Sequence, residues 1–546
     1  MSLRKHQSEF KAVMDRIQAG APIRTVYCHV APGGGKSILP LMAGRLIDTG
    51  RADRLLWIAP RLSLTDQAER EFVNPHFRRL LGHNIRIRRS TNEINPCRGL
   101  HGIATTYNAV GLDDGILSSD FRRHRYILIM DEFHHVQEDS LWHKAIRPLY
   151  DQAAYRIMMT GTLERGDGTR IAFVPYSSAG KAAKPVIKVT DETEVIRYTR
   201  ADALSEKAIL PLQFHLSDGS AEWEDRRGRT VRIASMDKMN EADANKALYT
   251  ALKTEYADHL LAAGITHWQA WRRTHKTAKC LVVAANITEA KRHMASLGRV
   301  SARCDIATSD DSADALKVIN RMKADQLDVI VTVAMAYEGL NIPSISHIIC
   351  LTRIRSVPWI EQCIARANRI DPAAGQYEDQ IGHIFAPADP LFKEVMKKIE
   401  AEQAPVMQER SSRFPSSRGE TEDGGGFRLE PAPGGIIPLS SAMTGKREML
   451  MAGPVPEPEK TASEQEAELR ELIDNHLGRF AYTNRYMKQK LNTDVYQYFG
   501  RPRSQMTIPE LERCLKHVQA TYPLSFVRGT GRRVATKATP LNCEWR

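Results

Sequence analysis

Paired cysteines are missing from this chain. Its eight cysteines (28, 97, 280, 304, 350, 363, 514 and 543) never stand in a CxxC spacing, which argues against a disulfide framework and a cysteine-bound zinc cluster. Cys28, Cys280 and Cys350 fall instead in apolar runs that read as buried strands. Long apolar runs are missing as well. No stretch approaches the roughly eighteen residues of a membrane-crossing helix, so no membrane partner is expected. Residues 1–7 hold no apolar segment suited to a secretory leader, and the cytoplasm is the expected compartment. No repeat recurs at solenoid periods. An acidic surplus is absent too. Lys plus Arg number 77 against 65 Asp plus Glu, a net charge of +12, which points to a polyanionic partner such as nucleic acid or a membrane surface.

What is present is a soluble globular balance, with 42% hydrophobic and 26% charged residues, which excludes wholesale disorder. At about 100–200 residues per domain, 546 residues imply three or four units. Short apolar runs at 23–30, 54–60, 102–105, 126–130 and 155–160 read as buried parallel strands, with helical patterns at 36–48 and 63–81 between them. A second block repeats the alternation, with strands at 279–284, 300–307, 329–333, 347–351 and 381–385 and helices at 287–296, 312–324 and 358–369. Two βα-repeating blocks mean an α/β chain of two tandem domains, each on a mostly parallel sheet. The expected boundaries are 1–178 for the first domain, 179–275 for a polar connector that turns helical at 240–271, and 276–403 for the second domain. Residues 404–463 are rich in Pro, Gly, Ser and Glu and read as a flexible linker. Residues 464–546, helical at 464–480 and 508–520, read as a small basic C-terminal module.

The first strand runs into Val30-Ala-Pro-Gly-Gly-Gly-Lys-Ser37 and then a helix. Gly33, Gly34 and Gly35 permit a turn tight enough for backbone N–H groups to surround phosphate oxygens. Lys36 can reach the β and γ phosphates, Ser37 can ligate Mg²⁺, and the helix N-terminus adds its dipole. Further along, Ile127-Leu-Ile-Met-Asp-Glu-Phe-His-His135 ends a buried strand in two carboxylates, at the edge where open α/β sheets bind ligands. There Asp131 would hold Mg²⁺ through water and Glu132 would polarise the attacking water. His134 and His135 have no cysteine or third histidine at ligand spacing, so zinc is not expected at them. Gln362, Arg366 and Arg369 are spaced i, i+4 and i+7. On one helix they share a face and bring two guanidiniums to a phosphoryl group.

In this order the motifs resemble those of the superfamily 2 helicases, whose motor is a pair of RecA-like P-loop domains, and the resemblance extends over most of residues 3–390. Leu3-Arg-Lys-His-Gln7 resembles the leading motif, in which the glutamine reads adenine. Leu56-Trp-Ile-Ala-Pro-Arg61 resembles motif Ia and Ala104-Thr-Thr-Tyr107 motif Ib, which implies that Pro60, Arg61, Thr105 and Thr106 touch a nucleic-acid backbone. Asp131-Glu-Phe-His134 is similar to the DExH box and Thr160-Gly-Thr162 to motif III. In the second block, Cys280-Leu-Val-Val-Ala284 resembles motif IV. Val331-Thr-Val-Ala-Met-Ala-Tyr-Glu-Gly-Leu-Asn-Ile-Pro343 resembles motif V, which implies that Gly339 and Asn341 join the nucleotide site. Gln362-Cys-Ile-Ala-Arg-Ala-Asn-Arg369 resembles motif VI.

The resemblance implies ATP and Mg²⁺ as cofactors. The nucleotide would be held by Gln7, Pro32, Gly33, Gly34, Gly35, Lys36, Ser37, Gly339 and Asn341, with Ser37 and Asp131 on the metal. The catalytic set would be Lys36, Asp131, Glu132, Gln362, Arg366 and Arg369. Thr160-Gly-Thr-Leu-Glu-Arg-Gly-Asp-Gly168 is similar to restriction- and repair-type DNA motors, which favours DNA over RNA. Val30, Pro32, Asn341 and Ala365 depart from the family's usual Gly or Ala, Thr, Asp and Gly, but no catalytic group is lost. An ATP-dependent helicase or translocase is therefore expected. The alternatives are an RNA helicase, or a nucleic-acid-binding ATPase switch or scaffold that does not unwind.

Basic tracts suggest where nucleic acid lies. They are Arg78, Arg79, Arg86, Arg88 and Arg89, then Arg122-Arg-His-Arg125, then residues 268–276. Residues 501–546 add nine Lys/Arg against three Asp/Glu, with Tyr496, Tyr498, Phe499 and Trp545 available for stacking. A protein partner is the other reading of the C-terminal module. Trp268 and Trp271 read as packing residues.

Overall fold

The computed structural model of the chain describes residues 3–90, 93–163, 165, 169–178, 184–239, 241–298, 303–308, 313–333, 342–408, 437–443 and 461–524. Its contacts divide the chain into two units, 1–461 and 462–546.

The larger unit contains two fully parallel sheets. In the first, β1 (Thr25–Val30), β2 (Arg54–Ala59), β3 (Ile87–Arg89), β4 (Gly102–Thr106), β5 (Tyr126–Asp131), β6 (Tyr155–Thr160) and β7 (Thr193–Tyr198) align as β3-β4-β2-β5-β6-β1-β7. Helices cover both faces, so a central strand must be apolar throughout, and every residue of β5 is buried. Along it, Ile127 and Ile129 join one core with Val26, Trp57 and Phe72, while Leu128 and Met130 join the other with Tyr107 and Phe133. In the second sheet, β8 (Leu212–Ser217), β11 (Lys279–Ala284), β12 (Cys304–Ala307), β13 (Val329–Val333), β14 (Ile345–Leu351) and β15 (Gly382–Pro387) align as β12-β13-β11-β14-β15-β8. A third, antiparallel sheet of order β10-β9-β16 consists of β9 (Gly219–Glu224), β10 (Thr230–Ile233) and β16 (Ile437–Met443). The expected tandem α/β architecture with parallel sheets is what the chain adopts.

Several boundaries differ from the sequence reading. The segment 179–275 is not a separate connector. Its β7 pairs with β1 in the first sheet and its β8 pairs with β15 in the second, so the crossover falls between residues 198 and 212. Helices Glu241–Lys253 and Glu255–Trp271 then follow, and the second of these packs on the second sheet. Polar letters hid β8, whose Gln213, His215 and Ser217 are all buried. The expected linker 404–463 contains β16, which zips onto β9, and helix Pro390–Gln408 crosses its boundary. The other linker residues, 409–436 and 444–460, lie outside the described residues. The helix expected at 63–81 is two, Leu62–Val73 and Pro75–Leu81, because a residue before proline is driven out of the α region and Asn74 stands there at ψ 117°.

The smaller unit packs helices Ala462–Asn484, Lys488–Phe499 and Ile508–Thr521 around Ile473, Leu477, Leu491, Val495, Leu511 and Val518. The basic residues after 524, with Trp545, lie outside the described residues. Among the described residues no helix is long and apolar enough to cross a membrane.

Candidate nucleotide site and nucleic-acid interface

The C-terminal ends of β1, β5 and β6 lie side by side, since His29 pairs with Thr160 and Asp131 with Met159. The loop leaving β1 needs its glycines. Gly33 and Gly35 both stand at φ +85°, and a Cβ on Gly34 would lie 2.8 Å from the Ala31 carbonyl oxygen. A short 3₁₀ turn, Lys36–Ile38, then leads into helix Leu39–Asp48. Gln7 lies against this loop. Its Nε2 donates to the Gly35 carbonyl at 3.2 Å, while its Oε1 accepts from the Arg4 backbone N–H at 3.0 Å. Arg4, which the sequence reading did not single out, donates from Nη1 to the Gly34 carbonyl at 2.6 Å. Pro32 lies beside motif III, with its Cγ 3.1 Å from where a Cβ on Gly161 would sit.

Lys36 meets both carboxylates. Its Nζ stands 3.2 Å from Asp131 Oδ1 and forms a closer ion pair with Glu132 Oε1. Burial alone would depress the Lys36 ammonium, but the two carboxylates outweigh it and hold its pKa above the usual lysine value. The acids diverge. Burial pushes Asp131 up, while Glu132 overcomes its own burial through Lys36 and His134 and lies well below the usual carboxylate range. Glu132 adopts left-handed backbone (φ 48°, ψ 46°), uncommon for a non-glycine residue, so the strand ends abruptly between the two acids.

From Glu132 the polar contacts continue into the second domain. Glu132 Oε2 accepts from the Gly161 N–H at 3.3 Å and stands 3.3 Å from His134 Nδ1. Thr160 donates its hydroxyl proton to the Thr162 carbonyl, so it accepts from His134 Nδ1–H at 2.8 Å. That assignment leaves His134 Nε2 to accept from Gln362 Nε2 at 3.3 Å. Asn368 adds a second crossing, donating from Nδ2 to the Pro32 carbonyl at 3.3 Å.

One part of the motif VI reading is corrected. The helix is Val357–Ile364, so Gln362 is helical but Arg366 and Arg369 are not, and the three do not share a helix face. The chain closes i→i+3 contacts there, with the Arg366 N–H on Cys363 and the Ala367 N–H on Ile364, and the Asn368 carbonyl beyond them accepts from the Leu210 N–H at 2.7 Å. The arginines are still close together. Burial, and then the charge of Arg366, lower Arg369 to about 9. Gly339 and Asn341 lie outside the described residues.

Ser37 has an unforeseen neighbour in Glu71, on helix Leu62–Val73. Burial raises Glu71 to about 7, although Gln67 and the Ser37 hydroxyl hydrogen-bond to it. A single Glu within a helical pattern carries no sequence signal of this contact. Asn368, by contrast, sat inside a motif that could have revealed it.

The residues expected to touch nucleic acid end β2 and β4, which pair through Ala59 and Thr106, so Pro60 and Arg61 lie beside Thr105 and Thr106. Both threonines are buried, and Thr106 Oγ1 caps the next helix by accepting from the Ala109 N–H at 3.1 Å. Much of the adjoining basic tract is engaged within the fold. Arg88 is buried against Glu93 at 3.1 Å, and Arg89 lies 3.7 Å from both Asp66 and Glu69. Arg125 pairs with Asp53 at 2.6 Å, and Trp268 is buried with its Nε1 on the Ala278 carbonyl.

Residues 1–165 match the family model of the type III restriction enzyme res subunit, and residues 254–371 that of the helicase conserved C-terminal domain. The chain is 23% identical over 382 residues to an uncharacterised protein of Mycobacterium leprae, covering 69% of this chain and 61% of that one. It is 22% identical over 421 residues to an uncharacterised protein of Mycobacterium tuberculosis, covering 75% and 67%. The match thus spans about two thirds or less of these relatives' length. Among solved structures, the ATP-dependent type ISP restriction-modification enzyme LlaBIII bound to DNA is similar at a TM-score of 0.46 and 14% identity, over 76% of this chain and 31% of that one.

Proposed function

The chain belongs to the superfamily 2 helicases, in their restriction- and repair-type branch, and from that footing we propose that it is an ATP-driven motor acting on DNA. ATP is hydrolysed between the two α/β domains, and each closing and reopening shifts the β2 and β4 ends along one strand. The observation that carries this reading is the polar chain from Lys36 through Glu132 and His134 to Gln362, which links the phosphate loop to the second domain.

Lys36 exchanges its carboxylate partners for the β and γ phosphates. Glu132, held ionised, takes the proton of the attacking water, and His134 carries its change of charge to Gln362. Arg366 and Arg369 are two neighbouring guanidiniums whose mutual repulsion a polyphosphate relieves. Ser37 and Asp131 suit Mg²⁺, because the Ser37 proton is directed to Glu71, leaving oxygen lone pairs for an ion, and Asp131 Oδ1 is a buried carboxylate oxygen whose Lys36 partner, 3.2 Å away, is the group the phosphates draw off. When bound, that ion supplies Lewis-acid charge to the phosphate oxygens.

The test is ATP turnover by the full chain alone and with duplex DNA, single-stranded DNA and RNA of equal length, together with triplex displacement. DNA-stimulated turnover with displacement is expected. Stimulation by RNA alone moves the reading to an RNA helicase, and nucleotide binding without displacement moves it to a switch. Absence of turnover under every condition sinks the motor.

A further inference from the structure

Four histidines that no local motif joins meet on one face of the second sheet. His215 is on β8, His347 on β14, His383 on β15 and His267 on helix Glu255–Trp271. The parallel register makes His347 and His383 direct partners and sets His215 opposite Phe385, two residues further along β15. Because side chains alternate along a strand, all three rings share the face that the helix covers. The helix approaches closely: a Cβ on Gly264 would lie 2.5 Å from Ile349 Cδ1, so glycine permits the contact and His267, one turn on, comes level with the strand histidines.

One ring nitrogen from each of His215, His267 and His383 lies within 4.8 Å of the other two. His215 Nε2 stands 3.1 Å from His383 Nδ1. Two nitrogens on one tetrahedral ion at about 2.0–2.1 Å are about 3.3 Å apart, so this pair is already near the required spacing. His267 Nδ1 is 2.9 Å from His347 Nε2, and His347 Nδ1 is 2.8 Å from Ser346 Oγ. As N–H donors in series, these contacts orient the His267 ring and leave Nε2 as the nitrogen it offers, the outer support that ligand histidines commonly have. His215, His347 and His383 are each no more than 1% exposed, and His383 Nε2 has no hydrogen-bond partner among the described residues.

We propose that His215, His267 and His383 bind a divalent transition-metal ion of the zinc class, with His347 positioning His267. An all-imidazole set suits zinc, nickel or copper, whereas Mg²⁺ and Ca²⁺ take oxygen ligands. The site is distinct from the nucleotide site, since it lies under a helix on the sheet face while Gln362 follows the C-terminal end of β14. The ion ties β8, the edge strand that follows the crossover, to β15 and to the covering helix.

The experiment uses the full chain, stripped with chelator and titrated with Co²⁺ and then Zn²⁺. One Co²⁺ per chain with the intense visible absorption of a tetrahedral nitrogen site is expected, displaced by Zn²⁺, with a higher Tm for the loaded protein. A Co²⁺ ion at the oxygen ligands of the nucleotide site absorbs only weakly and is told apart. His267→Gln, at the least buried of the three ligands, weakens binding by about 100-fold or more with an unchanged circular dichroism spectrum of the metal-free chain. His259→Gln, exposed on the same helix, binds like the wild type. Absence of stoichiometric binding of either ion by the wild type, or undiminished binding in both His267→Gln and His215→Gln, overturns the proposal.

Discussion

Two buried polar clusters occupy the larger unit, and they are built on opposite principles. The cleft cluster is charged: Lys36 faces Asp131 and Glu132, and Glu132 faces His134. Its members lie at the ends of β1 and β5, the two strands that flank β6, where a phosphate can displace the internal partners. The histidine cluster is built of imidazoles alone and lies on a sheet face under a helix, with three of its four rings sealed from water. Burying unmatched charge costs far more than burying neutral imidazole, so the first cluster belongs at an open edge and the second can be closed over. The difference teaches that polar burial in this fold serves exchange in one place and cross-linking in the other.

Substitutions can break that contrast. Lys36→Ala should have the largest effect, lowering ATP turnover by at least about 10³-fold, the scale of losing a principal phosphate contact. Retained turnover would remove the cleft cluster from the chemistry altogether. Glu132→Gln should lower kcat by about 10²–10⁴-fold while nucleotide binding, read by fluorescent-analogue titration, persists. Gln362→Ala removes the His134 contact between the domains. A hydrogen bond of about 1 kcal/mol predicts a loss of about fivefold in DNA-stimulated turnover. His267→Gln should behave in the opposite sense, abolishing the metal-dependent rise in Tm while kcat stays at the wild-type value. A parallel fall in kcat would mean that the two clusters are coupled.

The last prediction leaves turnover unchanged and concerns stability: Glu71 and pH. Its folded pKa of about 7 lies above the unfolded value near 4.5, so the folded chain holds this proton between those pH values and unfolding releases it. Stability from this group is therefore full below about pH 4.5 and is lost as pH rises towards 7. Glu71→Gln should match the wild type near pH 4.5 and exceed it above pH 7, by up to about 3 kcal/mol. Thermal melts across that range check the sign.

Local chemistry was readable from the chain. β5 is buried on both faces and so appears as an unbroken apolar run ending in Asp131 and Glu132. The phosphate loop appears as three adjacent glycines because its turn needs positive φ at two of them. Edge and late elements were not readable. β8 hid behind buried Gln213 and His215, and β16 behind a Pro- and Gly-rich stretch, because each is held by a strand far away in the chain. The end of the motif VI helix escaped too, since a spacing of i, i+4, i+7 does not show that the helix stops at Ile364 and that the Asn368 carbonyl beyond it pairs with Leu210.

The sequence by itself determined which groups stand together along the chain: glycines before Lys36, two acids after an apolar strand, and arginines after Gln362. Covalent neighbours need no fold to be neighbours. Only the tertiary structure decided that Glu71 reaches Ser37, that Asn368 reaches Pro32, and that histidines from residues 215, 267, 347 and 383 share one face. Those meetings depend on strand register and on the close approach of a helix at Gly264, which are settled by packing over the whole sheet and by no local pattern.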